Sequence, residues 1–160
     1  MDIIIKKMET DAEIRGKAYV HWRCWHEVYA GMVNQAYLDQ MTLEKYEEKA
    51  FLWTDNLLVA KDAGRVIGFV GYGEQGQDHP ASGEIFALYL LPEYWGAGIG
   101  LRLMEAALEQ MKGSPEICLW VFKENRRAIR FYRKCGFHED GTEHTVPGIE
   151  AAGVRMVLKR

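Results

Sequence analysis

The run Gly96-Ala97-Gly98-Ile99-Gly100 is the sharpest chemical feature of the chain. Glycines carry no Cβ, so backbone N–H groups there can meet an anion at close range. The run follows a strand-like stretch that stops at Pro92. It opens a segment in which Ile99, Leu103, Met104, Ala107, Leu108 and Met111 recur with helical spacing. A helix start adds unpaired N–H groups and the positive end of a dipole, and the combination is a phosphate site. No lysine follows in the arrangement of a nucleotide-triphosphate loop. A second constellation opens at Asn125, which can cap a helix and present an amide to a ligand. Ala128 or Ile129 and then Tyr132 share its face at helical spacing. Tyr132 is a candidate proton donor, although a lone tyrosine in a helix more often packs in a core with its hydroxyl satisfied. Arg126, Arg127, Arg130, Arg133 and Lys134 form a solvated face, and the sequence does not say which of them reaches a phosphate. Glu84 opens the strand-like stretch 84–91, either as a group for acid–base work or as an ordinary solvated strand end.

The elements around these residues follow from pattern. Residues 3–7 are β-branched and predict a strand. Thr10 and Glu13 form a capping box that starts a helix running to about Tyr29, closed by Gly31. Thr42 caps a second helix, with Glu44 in its first turn. Residues 57–61 and 65–72 predict a hairpin turning at Asp62-Ala63-Gly64. Gly68, Gly71 and Gly73 in its second strand mark bulges or close approaches. Residues 76–80 read as a loop, 84–91 as the strongest strand, 116–122 as another strand and 125–135 as a helix closed by Gly136. Two final strands fall at 137–139 and 154–158. The predicted order is β-α-α-β-β-β-α-β-α-β-β, an α/β (α+β) mixed sheet in one domain over residues 1–160. Strict βαβ alternation is missing, which disfavours a doubly wound dinucleotide-binding sheet. Alternation along 84–91 puts Glu84, Phe86, Leu88 and Leu90 on one face unless a bulge intervenes.

Composition narrows the partners. The 160 residues are 48% hydrophobic and 27% charged, ordinary for a folded globular chain. The net charge of −3, from 20 basic and 23 acidic residues, gives no electrostatic case for nucleic acid or a membrane surface. No apolar run approaches the roughly 18 residues that a membrane span needs, and the N-terminal apolar stretch is too short for a secretory signal. Cys24, Cys118 and Cys135 are few and widely spaced, as in a reducing cytosol, so a cytoplasmic location is expected. No Cys/His spacing suggests a metal.

The eleven-residue stretch from Leu90 to Gly100 resembles the acetyl-CoA-binding motif of the GNAT superfamily of N-acetyltransferases, written [QR]-x-x-G-x-[GA]. Asn125-x-x-Ala128-x-x-Phe131-Tyr132-x-x-x-Gly136-Phe137 resembles the family's second signature, one strand further on. Trp95 departs from the pattern, standing where Gln or Arg is usual. The resemblance implies that the strands at 84–91 and 116–122 splay apart to admit the pantetheine arm. It implies that backbone near Leu90 bonds the acetyl carbonyl or pantetheine, and that the amides of Gly96, Ala97, Gly98, Ile99, Gly100 and Leu101 hold the pyrophosphate. Asn125 would contact pantetheine, Tyr132 would be the general acid and Glu84 the base, directly or through water. Trp25 and Tyr29, on one face of the first helix with Trp22, would line the acceptor pocket or else pack in the core. The expected activity is acetyl transfer from acetyl-CoA to a primary amine of a small molecule or peptide, without metal. The resemblance leaves a homodimer open. The alternatives are an acyl-CoA-binding module without turnover, and a nucleotide-binding protein of another fold.

Overall fold

The structure is a computed structural model that describes residues 1–74, 76 and 82–160. Most of the loop expected at 76–80 therefore lies outside the described residues. The elements are β1 (Ile3–Lys7), α1 (Asp11–Val28), α2 (Gln35–Gln40), α3 (Leu43–Leu52), β2 (Leu57–Asp62), β3 (Arg65–Gly73), β4 (Gly83–Leu90), a 3₁₀ turn (Pro92–Tyr94), α4 (Ile99–Gln110), β5 (Glu116–Phe122), α5 (Arg126–Lys134), β6 (His138–Val146) and β7 (Ala151–Lys159). The strands form one mixed sheet in the order β1-β2-β3-β4-β5-β7-β6.

Local chemistry fixes the first helix. Thr10 Oγ1 accepts from the Glu13 amide at 3.1 Å, and Glu13 Oε1 accepts from the Thr10 and Glu9 amides. The same carboxylate takes Lys6 and Lys61 at 2.8 and 3.0 Å, tying α1 to β1 and β2. Gly16 lets α1 lie against β3: a Cβ there would stand 2.7 Å from Val66 Cβ. The helix stops at Val28, and Gly31 takes φ +84° in the turn that follows.

One junction shapes the sheet. β4 and β5 are the parallel pair, joined among the described residues only through Gly83–Ile117, Glu84–Cys118 and Ile85–Leu119. Beyond Ile85, β4 stays with β3 while β5 stays with β7, so the two strands part and a wedge opens. The parting begins at a bulge. Gly71 pairs with Ala87 and Tyr72 with Ile85, which leaves Phe86 as the extra residue. The bulge corrects the plain alternation. Glu84 shares its sheet face with Ala87 and Tyr89, whereas Leu88 and Leu90 lie on the other face. Gly68, opposite Leu90, permits the close approach of β4, since a Cβ there would stand 2.9 Å from Leu90 Cδ1 and the Tyr89 carbonyl.

Three elements differ from the sequence reading. α2 is an additional helix of six residues, capped by Asn34, whose side chain accepts from the Ala36 amide. Only Leu38 of α2 is buried, so it carries no readable apolar period. β6 extends to Val146 rather than stopping at Glu139. It is an edge strand exposed almost throughout, with no hydrophobic alternation to betray it. β7 begins at Ala151, three residues earlier than expected. Among the described residues no helix is long and apolar enough to cross a membrane.

Candidate active site

The wedge is the mouth of a cavity of about 620 Å³. Its walls come from α1 (Cys24, Trp25, Tyr29), from the diverging halves of β4 and β5, from the glycine loop, and from α5 with Asn125, Tyr132 and their neighbours. β6 and β7 contribute His144, Val146 and Gly153.

The glycine loop is anchored before it turns. Arg23 on α1 grips Glu93 with both guanidinium arms at 2.8 Å. Tyr94 donates its hydroxyl to Asp62 at 2.8 Å, and the Trp95 indole N–H donates to the Leu90 carbonyl at 2.9 Å. Gly96 and Gly98 then take φ +86° and +80°, the left-handed region that glycine enters without strain. Ideal Cβ atoms at both positions would meet nothing within 4 Å, so the loop faces open space. Gly98 is the N-cap of α4, and no side chain occupies that cap. The first turn of α4 therefore presents amides toward the cavity, a cradle suited to a phosphate.

Asn125 is buried and caps α5, its Oδ1 accepting from the Ala128 amide at 3.3 Å. That bond uses the amide oxygen and leaves the NH₂ group to face a ligand. Tyr132, one face along α5, is 9% exposed, with its ring against Phe131 and Phe137. Burial raises its phenol above the ordinary value, and nearby Tyr89 and Cys135 add to the effect. The hydroxyl therefore holds its proton through the neutral range.

On the β4 side, the Leu91 amide donates back to Ile67 of β3. By strand alternation the backbone groups of Leu90 turn the opposite way, into the wedge. The Leu90 carbonyl is taken there by Trp95 and by Cys24 Sγ at 3.5 Å, which leaves its amide as the donor suited to a ligand carbonyl.

Trp25 and Tyr29 line the cavity at the end of α1, stacked edge-on at 4.7 Å, and Phe122 of β5 packs on both. Tyr89, which sequence reasoning did not single out, joins them. Trp25 Nε1 donates to its hydroxyl at 3.0 Å, and the hydroxyls of Tyr29 and Tyr89 lie 3.1 Å apart. Burial pushes the Tyr89 phenol up to about 12, against the lowering effect of its bonds to Tyr29 and Trp25. The bulge at Phe86 turns Tyr89 toward α1; it lies opposite Gly71, one of the glycines that mark bulges or close approaches in the sequence, but nothing in β4 itself betrays it. Trp22 is not in the cavity wall; it packs on Tyr19 and His26.

Glu84 is buried at the paired end of β4, where Cys118 Sγ donates to it at 3.8 Å. It is not among the residues that line the cavity. The structure brings together the glycine loop, Leu90, Asn125, Tyr132, Trp25 and Tyr29, and sets Glu84 behind them. Among the described residues no cluster of three or more His, Cys, Asp or Glu could hold a metal.

Known proteins share this sequence pattern and fold. The sequence profile of the acetyltransferase (GNAT) family matches residues 19–137. An uncharacterized N-acetyltransferase of Archaeoglobus fulgidus is 35% identical over 120 residues, covering 69% of this chain and 79% of that protein. A probable N-acetyltransferase of Mycobacterium tuberculosis is 29% identical over 146 residues, covering 88% and 83%. The crystal structure of the PaiA N-acetyltransferase from Thermoplasma acidophilum, in complex with coenzyme A, superposes with a TM-score of 0.75 at 25% identity, covering 100% of both chains. The chain belongs to the GNAT acetyltransferase family and has the family's mixed sheet.

Proposed function

We propose that the chain transfers the acetyl group of acetyl-CoA to a primary amine by direct attack, both substrates being bound together in the wedge. The single observation that carries this reading is the meeting, in one cavity, of an open glycine cradle, a parted strand pair and a buried protonated tyrosine. In this reading the amides of Gly96 to Leu101 hold the pyrophosphate at the start of α4. The pantetheine arm lies between β4 and β5, with Asn125 beside it. The thioester supplies an electrophilic carbonyl and a thiolate leaving group. The Leu90 amide faces the place where negative charge grows on the carbonyl oxygen, the arrangement that stabilises acyl transfer. Tyr132 carries the proton for the departing sulfur.

The acceptor enters on the α1 side, between Trp25, Tyr29 and Phe122 and the β6–β7 residues His144 and Val146. Its amine must lose a proton before it can attack. Glu84 is on the Tyr89 face of the sheet but set back from the cavity, so its part in that proton transfer runs through water and not by contact.

The test is thiol release from acetyl-CoA with a panel of polyamines, amino acids, aminoglycosides and peptides. Release with one amine class, dependent on Tyr132, is the expected outcome and names the acceptor. Coenzyme A binding with no release from any amine would favour a binding module, and absence of binding would overturn the role of the glycine cradle.

A further inference from the structure

Among the described residues, three cavity-lining cations on α5 have no carboxylate to answer them, and neither does Arg126, which lies outside the cavity wall. Arg127, Arg130 and Lys134 all line the cavity, and their spacing places them on one helix face. Among the described residues none of them lies within ion-pair distance of an acid, whereas Arg133 on the same helix is paired with Glu139 at 2.7 Å. The chain has 23 acidic residues to 20 basic ones, so the vacancy is not for want of carboxylates. Desolvation and the charge of Arg130 both lower the pKa of Arg127, as expected for a cation facing a like charge with no anion present.

Arg127 is also held in place. Its guanidinium carbon stands 3.4 Å from the centroid of the Trp95 ring. Trp95 is fixed in turn by its indole bond to the Leu90 carbonyl. A guanidinium stacked by its face keeps its N–H groups at the rim, free to meet an oxyanion in the ring plane. Trp95 immediately precedes Gly96, at the one position where the loop departs from the Gln or Arg of the family pattern. The stack thus brings a planar cation from α5 to the side of the loop where that pattern would supply a polar side chain.

We infer that Arg127, positioned by Trp95, binds a phosphate group of acetyl-CoA, with Arg130 and Lys134 extending the same cationic face. The inference rests on the acetyl-CoA reading above. Two phosphates meet this chemistry, the pyrophosphate and the 3′-phosphate, and coenzyme A lacking the 3′-phosphate separates them.

The experiment is calorimetric binding of coenzyme A and 3′-dephospho-coenzyme A to wild type, Arg127→Gln, Arg127→Lys, Trp95→Ala, Trp95→Phe and the double variant Trp95→Ala/Arg127→Gln, at several salt concentrations. Loss of a charge-assisted bond predicts at least about tenfold weaker coenzyme A binding in Arg127→Gln, with partial rescue in Arg127→Lys and a flatter salt dependence. A loss that vanishes with the dephospho ligand assigns the 3′-phosphate; an equal loss with both assigns the pyrophosphate. Positioning by Trp95 predicts that the double variant binds no worse than Arg127→Gln alone. Binding by Arg127→Gln within about twofold of wild type, or losses that multiply in the double variant, would overturn the inference. Arg127 is exposed, so its substitution spares the fold, and Trp95→Phe keeps an aromatic face should Trp95→Ala unfold. Failure of the wild type to bind coenzyme A is a different result, and it would overturn the acetyl-CoA reading itself.

Discussion

Replacing Tyr132 with phenylalanine removes one oxygen and keeps the ring that packs on Phe131 and Phe137. A positioned general acid contributes about 10²- to 10⁴-fold, or about 3–5 kcal/mol of barrier. Loss of one buried hydroxyl costs folding only about 1 kcal/mol, a fall in Tm of about 2–4 °C for a chain of this size. The expected result is therefore a kcat lower by at least about 10²-fold, with acetyl-CoA binding nearly unchanged and a folded protein at assay temperature. Thiol release with the best acceptor, followed at saturating acetyl-CoA, reads kcat, and calorimetry reads binding. The pH profile adds a second check. Burial raises the Tyr132 phenol, so the alkaline limb of kcat in the wild type does not fall near the ordinary phenol value of about 10. A kcat within about threefold of wild type in Tyr132→Phe would refute the proton-donor assignment, because no positioned acid is worth so little.

Further outcomes follow from other residues. Gly98→Val forces a β-branched side chain into φ +80°, costs at least about 1–2 kcal/mol locally, and raises the KM for acetyl-CoA more than it lowers Tm. Glu84→Gln lowers the acid limb of the pH–rate profile if the carboxylate relays the amine proton through water; an unchanged profile removes Glu84 from the mechanism. Glu13 is pushed up by burial but held well below the usual carboxylate range by Lys6, the Glu9 amide, Lys61 and the Thr10 amide. Because its folded value is depressed, its contribution is fully present above about pH 4.5 and disappears as pH falls toward the folded value. Glu13→Gln should therefore lower Tm at pH 7 and converge on wild type in acid, as thermal scans across pH would record. Gly16→Ala drives a methyl to 2.7 Å from Val66 and should cost about 1–3 kcal/mol, read as a lower urea midpoint.

The cradle and the α5 cap were legible because local rules govern them. A glycine run ahead of a 3.6-residue period can hardly be anything but a loop entering a helix, and an asparagine ahead of an apolar helix face is a cap. The capping box at Thr10 and Glu13 was legible for the same reason. What escaped depends on contacts distant in sequence. Tyr89 faces α1 only because Phe86 bulges, and the bulge is set by the register against Gly71 and Tyr72. The stack of Arg127 on Trp95 joins the glycine loop to α5, with α4 and β5 between them in the chain. β6 is exposed on nearly every residue, so neither of its faces carries a hydrophobic code.

The three residue pairs that join β4 to β5 give this sheet an edge in its interior. Past Ile85 and Leu119, backbone groups of both strands face a gap where a neighbouring strand would ordinarily sit, and polar backbone there that no side chain takes, as Trp95 and Cys24 take the Leu90 carbonyl, is left to water or a guest. An extended chain bearing amides is the natural complement of such an edge, as an added strand is for an outer one. The two halves of the sheet, β1 to β4 and β5 with β7 and β6, meet along a short seam, so a ligand in the gap acts as a splint across it. Ligand binding and cohesion of the fold are then coupled, and amide exchange in residues 86–90 and 120–122 should slow together when the gap is filled.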